Sequence, residues 1–231
     1  MEKQKAVVLL SGGLDSATCL AIAQSENFDV HGVTFDYGQR HNVELAAAKR
    51  IADRAGIPLL TIRFDMRLWG GSALTSDDID VPQGEGGVHE TAPVTYVPAR
   101  NLIFLSFGVS YAETLGAKDI FIGVNSLDYS GYPDCRDAFV KAFQRTATLG
   151  TKAIDENWEF NIHAPLQFMK KSEIIQRGLD LGVDYGLTHS CYSPDAEGYP
   201  CEKCDSCTLR IRAFEELGMR DPALREKNAR I

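Results

Sequence analysis

The chain has 231 residues, of which 44% are apolar and 24% charged, enough apolar material to bury one sizeable core. Its formal net charge of −8 argues against a broad nucleic-acid-binding face, because such faces are basic. The N-terminal apolar run is too short for a secretory signal and lacks a small-residue cleavage site, and no later run approaches the ~18 residues of a membrane span, so the expectation is a cytoplasmic protein that binds neither membrane nor nucleic acid.

Residues 6–10, all apolar, predict a buried strand, and residues 17–23 carry the apolar stripe of a helix. Between them stands Ser11-Gly12-Gly13-Leu14-Asp15-Ser16. Two glycines at a strand-to-helix turn let backbone approach a ligand, and the free N–H groups of the first helical turn favour an anion, so a phosphate is the natural guest. The lysine of a Walker loop is missing. The run resembles instead the S-G-G-x-D-S signature of the PP-loop ATP pyrophosphatases, which leave AMP on an acceptor. That resemblance implies an ATP site at Val8, Leu9, Leu10, Ser11, Gly12, Gly13, Leu14, Asp15, Ser16, Ala17 and Thr18, with Asp15 associated with magnesium.

Downstream, residues 30–35 predict a second strand, residues 43–55 a helix closed by Gly56, and residues 59–64 a third strand. Alternating strands and helices demand a parallel, doubly wound sheet, in which ligands sit beyond the carboxyl ends of the strands. The loop ends at 11–16 and 36–40 should therefore converge. Residues 65–90 lose all core periodicity and are rich in glycine and acids, the composition of a lid or of an inert loop. Order resumes with Val97-Pro98-Ala99-Arg100-Asn101 at the head of a helix running to about residue 115, where Arg100 is placed to clamp phosphate or carboxylate.

Residues 119–124 predict a fourth strand delivering the polar and aromatic run from Asn125 to Arg136, the makings of a substrate pocket. A helix over about 136–148 and a fifth strand at 160–164 follow, then Lys170 and Lys171 beside Ser172, which reads as a helix cap. The lysines are either phosphate-neutralising groups or a solvated face. His163 reads as a packed or capping histidine. Near the C-terminus Cys191, Cys201, Cys204 and Cys207 stand as C-x₉-C-x₂-C-x₂-C. Four thiols close a tetrahedral site, which makes a structural rather than catalytic zinc; an iron–sulfur cluster is the rival. Cys19 reads as a buried apolar residue, and Cys135 has no evident base beside it.

Taken in order, the nucleotide loop, Tyr37-Gly38-Gln39-Arg40-His41, Val97-Pro98-Ala99-Arg100-Asn101, Gly123-Val124-Asn125, the run from Asp128 to Arg136 and the four cysteines resemble the 7-cyano-7-deazaguanine synthase family of queuosine biosynthesis over nearly the whole length. The resemblance implies an ATP-dependent carbon–nitrogen ligase that turns 7-carboxy-7-deazaguanine and ammonia into the nitrile through adenylated acid and amide intermediates. On that basis Arg100 with Lys170 or Lys171 is assigned to phosphate or carboxylate charge, and Asn125, Asp128, Tyr129 and Asp134 to the deazapurine. The fold expected is one PP-loop α/β domain over 1–231, a five-stranded and mainly parallel sheet, with a zinc-bound helical subregion at 189–231 and a homodimer left open. No glutaminase unit is visible, so free ammonium is the expected nitrogen donor. The competing readings are a PP-loop tRNA-modifying enzyme and a non-catalytic ATP-binding regulator.

Overall fold

A computed structural model describes residues 3–76, 78–83, 92–127 and 131–225. Five strands, β1 (Lys5–Leu9), β2 (Asp29–Asp36), β3 (Leu59–Arg63), β4 (Asp119–Phe121) and β5 (Asn161–His163), pair in the order β3-β2-β1-β4-β5. All four pairings are parallel. The helices are α1 (Leu14–Ser25), α2 (Val43–Ala55), α3 (Arg100–Leu115), α4 (Asp137–Leu149), α5 (Lys171–Asp180) and α6 (Asp205–Glu216). The doubly wound parallel sheet expected from the sequence is the one observed.

β1 explains why the N-terminal run is apolar at every position. Val7 and Leu9 enter one core with β2, β4, α3 and α4, while Ala6, Val8 and Leu10 enter a second core with α1, α2, α5 and α6. A parallel strand covered on both faces has no polar side to show. Because β1 lies between β2 and β4, the chain departs from its carboxyl end in opposite directions around it, which is where such sheets open a crevice.

The predicted boundaries hold closely, with three instructive exceptions. β4 and β5 stop short of the apolar runs that predict them, and Gly123 supplies a reason for the first. A Cβ there would stand 3.0 Å from the Ser16 amide nitrogen, so the chain leaves the sheet to lie across the first turn of α1. Ser172 is not the cap of α5. The helix begins at Lys171, and the Lys170 N–H donates to Glu173 Oε2 at 2.7 Å; the capping work falls to the glutamate, leaving Ser172 inside the first turn.

The third exception is the segment after β3, which is far from loose over its described part. Met66, Ser72, Ala73, Leu74 and Thr75 are buried. Arg40 Nη2 donates to the carbonyls of Ser76 and Ile79 at 2.5 and 2.7 Å, and Gln83 forms an isolated bridge with Cys204. Residues 77 and 84–90 of the expected lid lie outside the described residues.

The C-terminal segment is fastened by Arg210 of α6. Its guanidinium donates to both Asp221 carboxylate oxygens at 2.7 and 2.9 Å, to Thr188 Oγ1 at 2.6 Å and to the Tyr185 carbonyl at 2.9 Å, with both charged side chains nearly sealed from water. Removing one partner strands a buried charge. Asp221→Ala should therefore cost about 3–5 kcal/mol, measured as a fall in the urea midpoint; a loss below about 1 kcal/mol would mean the pair behaves as a solvated one.

Candidate active site at the carboxyl ends of the strands

A cavity of ≈ 190 Å³ opens at the carboxyl ends of β1, β2 and β4, and Leu9, Leu10, Ser11, Gly13, Leu14, Asp15 and Ser16 form one wall. The turn is made at Gly12, whose φ of 91° is disfavoured for a residue with a side chain. A Cβ at Gly12 would also collide with the Glu44 carbonyl and come within 2.7 Å of the Ala48 amide nitrogen, so α2 packs against the back of the loop chiefly by its main chain. Ser11 Oγ accepts from the Gly13 N–H at 3.3 Å, and the Ser11 and Ser16 hydroxyls meet at 3.1 Å. The N-cap residue, Gly13, has no side chain to cap α1, which keeps first-turn amides such as those of Asp15 and Ser16 available to an anion. Val8, Ala17 and Thr18 stand behind the wall, in the core; the Thr18 hydroxyl is tied to the Tyr185 hydroxyl at 2.8 Å.

Of the two lysines, the structure brings one to the loop. Lys171 is buried and its Nζ lies 2.9 Å from both carboxylate oxygens of Asp15, whereas Lys170 is exposed at the helix start. Arg100 enters the cavity from the N-terminus of α3. Burial acts against its charge, but Tyr37, Tyr132, Asp134 and Tyr192 around it more than offset this and raise its pKa, so the guanidinium stays fully protonated. An arginine held this way presents a fixed positive charge to the crevice.

The residues predicted to meet the base fall into different places. Asn125 lines the cavity, yet its Nδ2 donates to the carbonyls of Leu166 and Met169 at 2.8 and 2.6 Å while its Oδ1 accepts from the Leu127 N–H at 2.8 Å; it braces two strand-end loops. Asp134 is buried and accepts from the Asn101 N–H at 3.0 Å, at the head of α3, with its other oxygen left without a hydrogen bond among the described residues. Asp128 and Tyr129 lie outside the described residues. The Cys135 thiol lines the cavity but burial, reinforced by Asp134, pushes its pKa up to about 12, which leaves it a neutral thiol. His163 is packed on Phe121 and bonded to Asp119 at 2.8 Å, outside the cavity.

Several wall residues carried no sequence signal of their own. Thr34, from the end of β2, points a buried hydroxyl without a partner among the described residues into the cavity's lining. Glu44 of α2 and the segment His189, Ser190 and Tyr192 complete the wall. The last three belong to the cysteine-bearing tail, and two of them touch the nucleotide loop directly. The His189 N–H donates to the Gly12 carbonyl at 2.9 Å, and Ser190 Oγ lies 3.5 Å from the Leu14 amide.

Beyond them, the sulfurs of Cys191, Cys201, Cys204 and Cys207 lie within 4.8 Å of one another. A tetrahedral ion with metal–sulfur bonds of about 2.3 Å needs sulfurs about 3.8 Å apart, and Cys201 and Cys207 are already at 4.0 Å. Main-chain N–H groups of Ser193 and Cys201 point at Cys191 Sγ, and those of Lys203 and Cys204 at Cys201 Sγ, at 3.2–3.4 Å. Such donors favour thiolates. The cluster fits a metal ion.

Because Gly12 both turns the loop and lets α2 approach it, Gly12→Ala should weaken binding of a non-hydrolysable ATP analogue by at least roughly tenfold and cost about 1–3 kcal/mol of stability. Calorimetric titration and thermal unfolding check it, and unchanged affinity would show that the loop geometry tolerates a side chain.

Comparison with known proteins closes the question of kinship. Two solved structures share the fold: a predicted tRNA methyltransferase subunit from Methanocaldococcus jannaschii (TM-score 0.51, 13% identity, covering 98% of this chain and 94% of that one) and a 4-thiouridine synthetase solved with RNA and ATP (TM-score 0.50, 18% identity, covering 94% of this chain and 54% of that one). Curated relatives named 7-cyano-7-deazaguanine synthase are far nearer in sequence. The protein from Geotalea daltonii is 59% identical over 222 residues, covering 95% of this chain and 96% of its own. Those from Geobacter sulfurreducens and Frankia casuarinae are 58% and 56% identical, covering 95% and 94% of this chain and 92% of each relative. A family model described as "Queuosine biosynthesis protein QueC" matches residues 5–218, and the chain belongs to that family.

Proposed function

We propose that the chain is the ATP-dependent ligase that converts 7-carboxy-7-deazaguanine and ammonia to 7-cyano-7-deazaguanine. The observation that carries this is the kinship with 7-cyano-7-deazaguanine synthases at 56–59% identity along almost the whole chain; the turn with its first-turn amides, the Arg100 guanidinium in the cavity and the buried Lys171 ammonium on Asp15 are what the chemistry requires. The readings as a tRNA-modifying enzyme or a regulator are not favoured by these relatives. The chain is read as one nucleotide-binding domain, with 189–231 a subregion of it.

A carboxylate is a poor electrophile, and hydroxide is a poor leaving group. Transfer of AMP to the acid, with loss of pyrophosphate, supplies a good leaving group. Ammonia then displaces AMP to give the amide. A second transfer, to the amide oxygen, allows that oxygen to depart with AMP and leaves the nitrile. The enzyme's part is to align the acid oxygen with the α-phosphorus and to meet the charge that develops on pyrophosphate. In this reading the amides and hydroxyls from Ser11 to Ser16 hold phosphate, and Lys171 and Arg100 neutralise charge on phosphate or carboxylate. ATP arrives with magnesium, which commonly takes one or two carboxylates with phosphate and water; Asp15 fits as its protein ligand. Tyr132 lines the cavity and Asp134 sits beside it at the head of α3, and this reading assigns both to the deazapurine.

Mass analysis of products from ATP, ammonium and 7-carboxy-7-deazaguanine, with no RNA present, tests the proposal; absence of nitrile would reject it. Lys171→Met should cut turnover by roughly 10²–10³-fold with the fold intact, and near-normal turnover would remove Lys171 from the phosphate site.

The cysteine cluster is read as a structural zinc site, closed by four thiolates. The purified protein should be colourless and hold zinc stoichiometrically. The tail that carries the cluster also props the nucleotide loop through His189 and Ser190, each such contact contributing about 1 kcal/mol. Removing the metal with a chelator should therefore lower affinity for an ATP analogue by roughly tenfold as well as destabilise the tail. Undiminished nucleotide affinity in metal-free protein would uncouple the two.

A further inference from the structure

Converting ammonia to a nitrile takes three protons off one nitrogen, and the reaction above assigns no group to receive them. The cavity wall holds few bases. Among its described residues the carboxylates are Asp15 and Glu44. Asp15 has the Lys171 ammonium on both oxygens. His189 directs its Nε2 at the Cys191 carbonyl, 3.2 Å away, the Cys135 thiol is held neutral, and burial raises the Tyr37 and Tyr132 hydroxyls further from ionisation. Among the described residues that line the main cavity, Glu44 is what remains.

Its setting is specific. An acid in the first turn of a helix ordinarily complements the helix dipole from the surface, but Glu44 is turned inward and lines both the main cavity and a small side recess of ≈ 40 Å³ shared with Tyr37, Arg40 and His41. The recess has room for one molecule the size of ammonia. The packing of α2 on Gly12 fixes the Glu44 main chain against the nucleotide loop. The charged and titratable groups that line the cavity and recess with it are Tyr37, Arg40 and His41 from the turn after β2, Arg100 from α3, Asp15 from the loop, and His189, Cys191 and Tyr192 from the tail. The cations among them disfavour ammonium and favour neutral ammonia in the recess.

We propose that Glu44 is the general base that strips protons from the substrate nitrogen. When ammonia adds to the acyl-adenylate, a C–N bond forms and the carbonyl electrons move to oxygen. Glu44 takes one N–H proton as the C–O bond to AMP breaks, giving amide and AMP. After the amide oxygen attacks the α-phosphorus of a second ATP and pyrophosphate leaves, the nitrogen still bears two protons. Glu44 takes them in turn, passing each to solvent, while the remaining C–O bond breaks to release AMP and the nitrile. Burial pushes the Glu44 carboxyl up to about 7, with Arg100 opposing the rise. A base with a pKa near neutrality both accepts and releases protons readily there.

The inference rests on the synthase reading, and the test separates the two. Glu44→Gln keeps the side-chain shape. With ATP and the acid, the variant should keep ATP–pyrophosphate exchange, and with hydroxylamine it should still yield the hydroxamate, because hydroxylamine enters uncharged and its adduct sheds a proton to water. With ammonium, amide and nitrile formation should fall roughly 10²–10⁴-fold at matched free ammonia. Nitrile formation within roughly threefold of wild type, or hydroxamate and nitrile lost together in folded protein, would overturn the assignment. Should the variant not fold, the wild-type partition decides. Amide formation that rises through an apparent pKa near 7, against a hydroxamate branch that does not, supports Glu44, and a pH-independent partition overturns it. If wild type forms neither product, the synthase reading fails and the base falls with it.

Discussion

Everything in the site hangs on a single tight passage of main chain at Gly12. The strand before it is walled by apolar cores on both faces, the helix after it must start within two residues, and α2 lies so close behind that no Cβ fits. Those three demands leave one path, and that path aims the first-turn amides of α1 into the crevice. Gly123 repeats the arrangement from the other side, bringing the chain beyond β4 so close to the first turn of α1 that a Cβ there would stand 3.0 Å from the Ser16 amide nitrogen. The turn is thus rigid because backbone packs closely against it on two sides.

Around this turn the protein keeps its cations in company. Lys171 is paired to Asp15, and Arg100 stands amid three tyrosines and Asp134. A bare ammonium in such a place would carry a desolvation cost of several kcal/mol. Both charges are already positioned by their partners, and such preorganisation limits the reorganisation that accompanies binding of an anion.

The tail that the cysteines gather does more than finish the chain. Through Arg210 and Asp221 it is locked to the segment 185–190, and through His189 and Ser190 that segment touches the nucleotide loop. Gln83 and Val81 of the acidic segment rest on the same knot. A cluster that looks local in sequence therefore ties together the loop after β3, the nucleotide turn and the last helix, and Tyr192, next to the first cysteine, becomes part of the cavity wall.

The sequence alone determined what depends on neighbours along the chain. Periodicity and glycine placement marked the strands and helices, the strand–turn–helix run marked the turn that walls the cavity, and short cysteine spacings marked the four-sulfur cluster, because each is a local backbone or side-chain geometry written within a few residues. What tertiary structure alone decided is which side chain ends where. Adjacent lysines read alike, yet a helix start at Lys171 sends one to Asp15 and the other to water. Asn125 and Asp134 read as base-binding groups, yet packing commits Asn125 to carbonyls 41 and 44 residues away and one oxygen of Asp134 to the amide of Asn101. Glu44 gave no signal in sequence, since an acid in a first helical turn is commonplace; only the contact of α2 with Gly12, 32 residues earlier, turns it toward the cavity. Such contacts join segments far apart in the chain, and no local pattern of residue types encodes them.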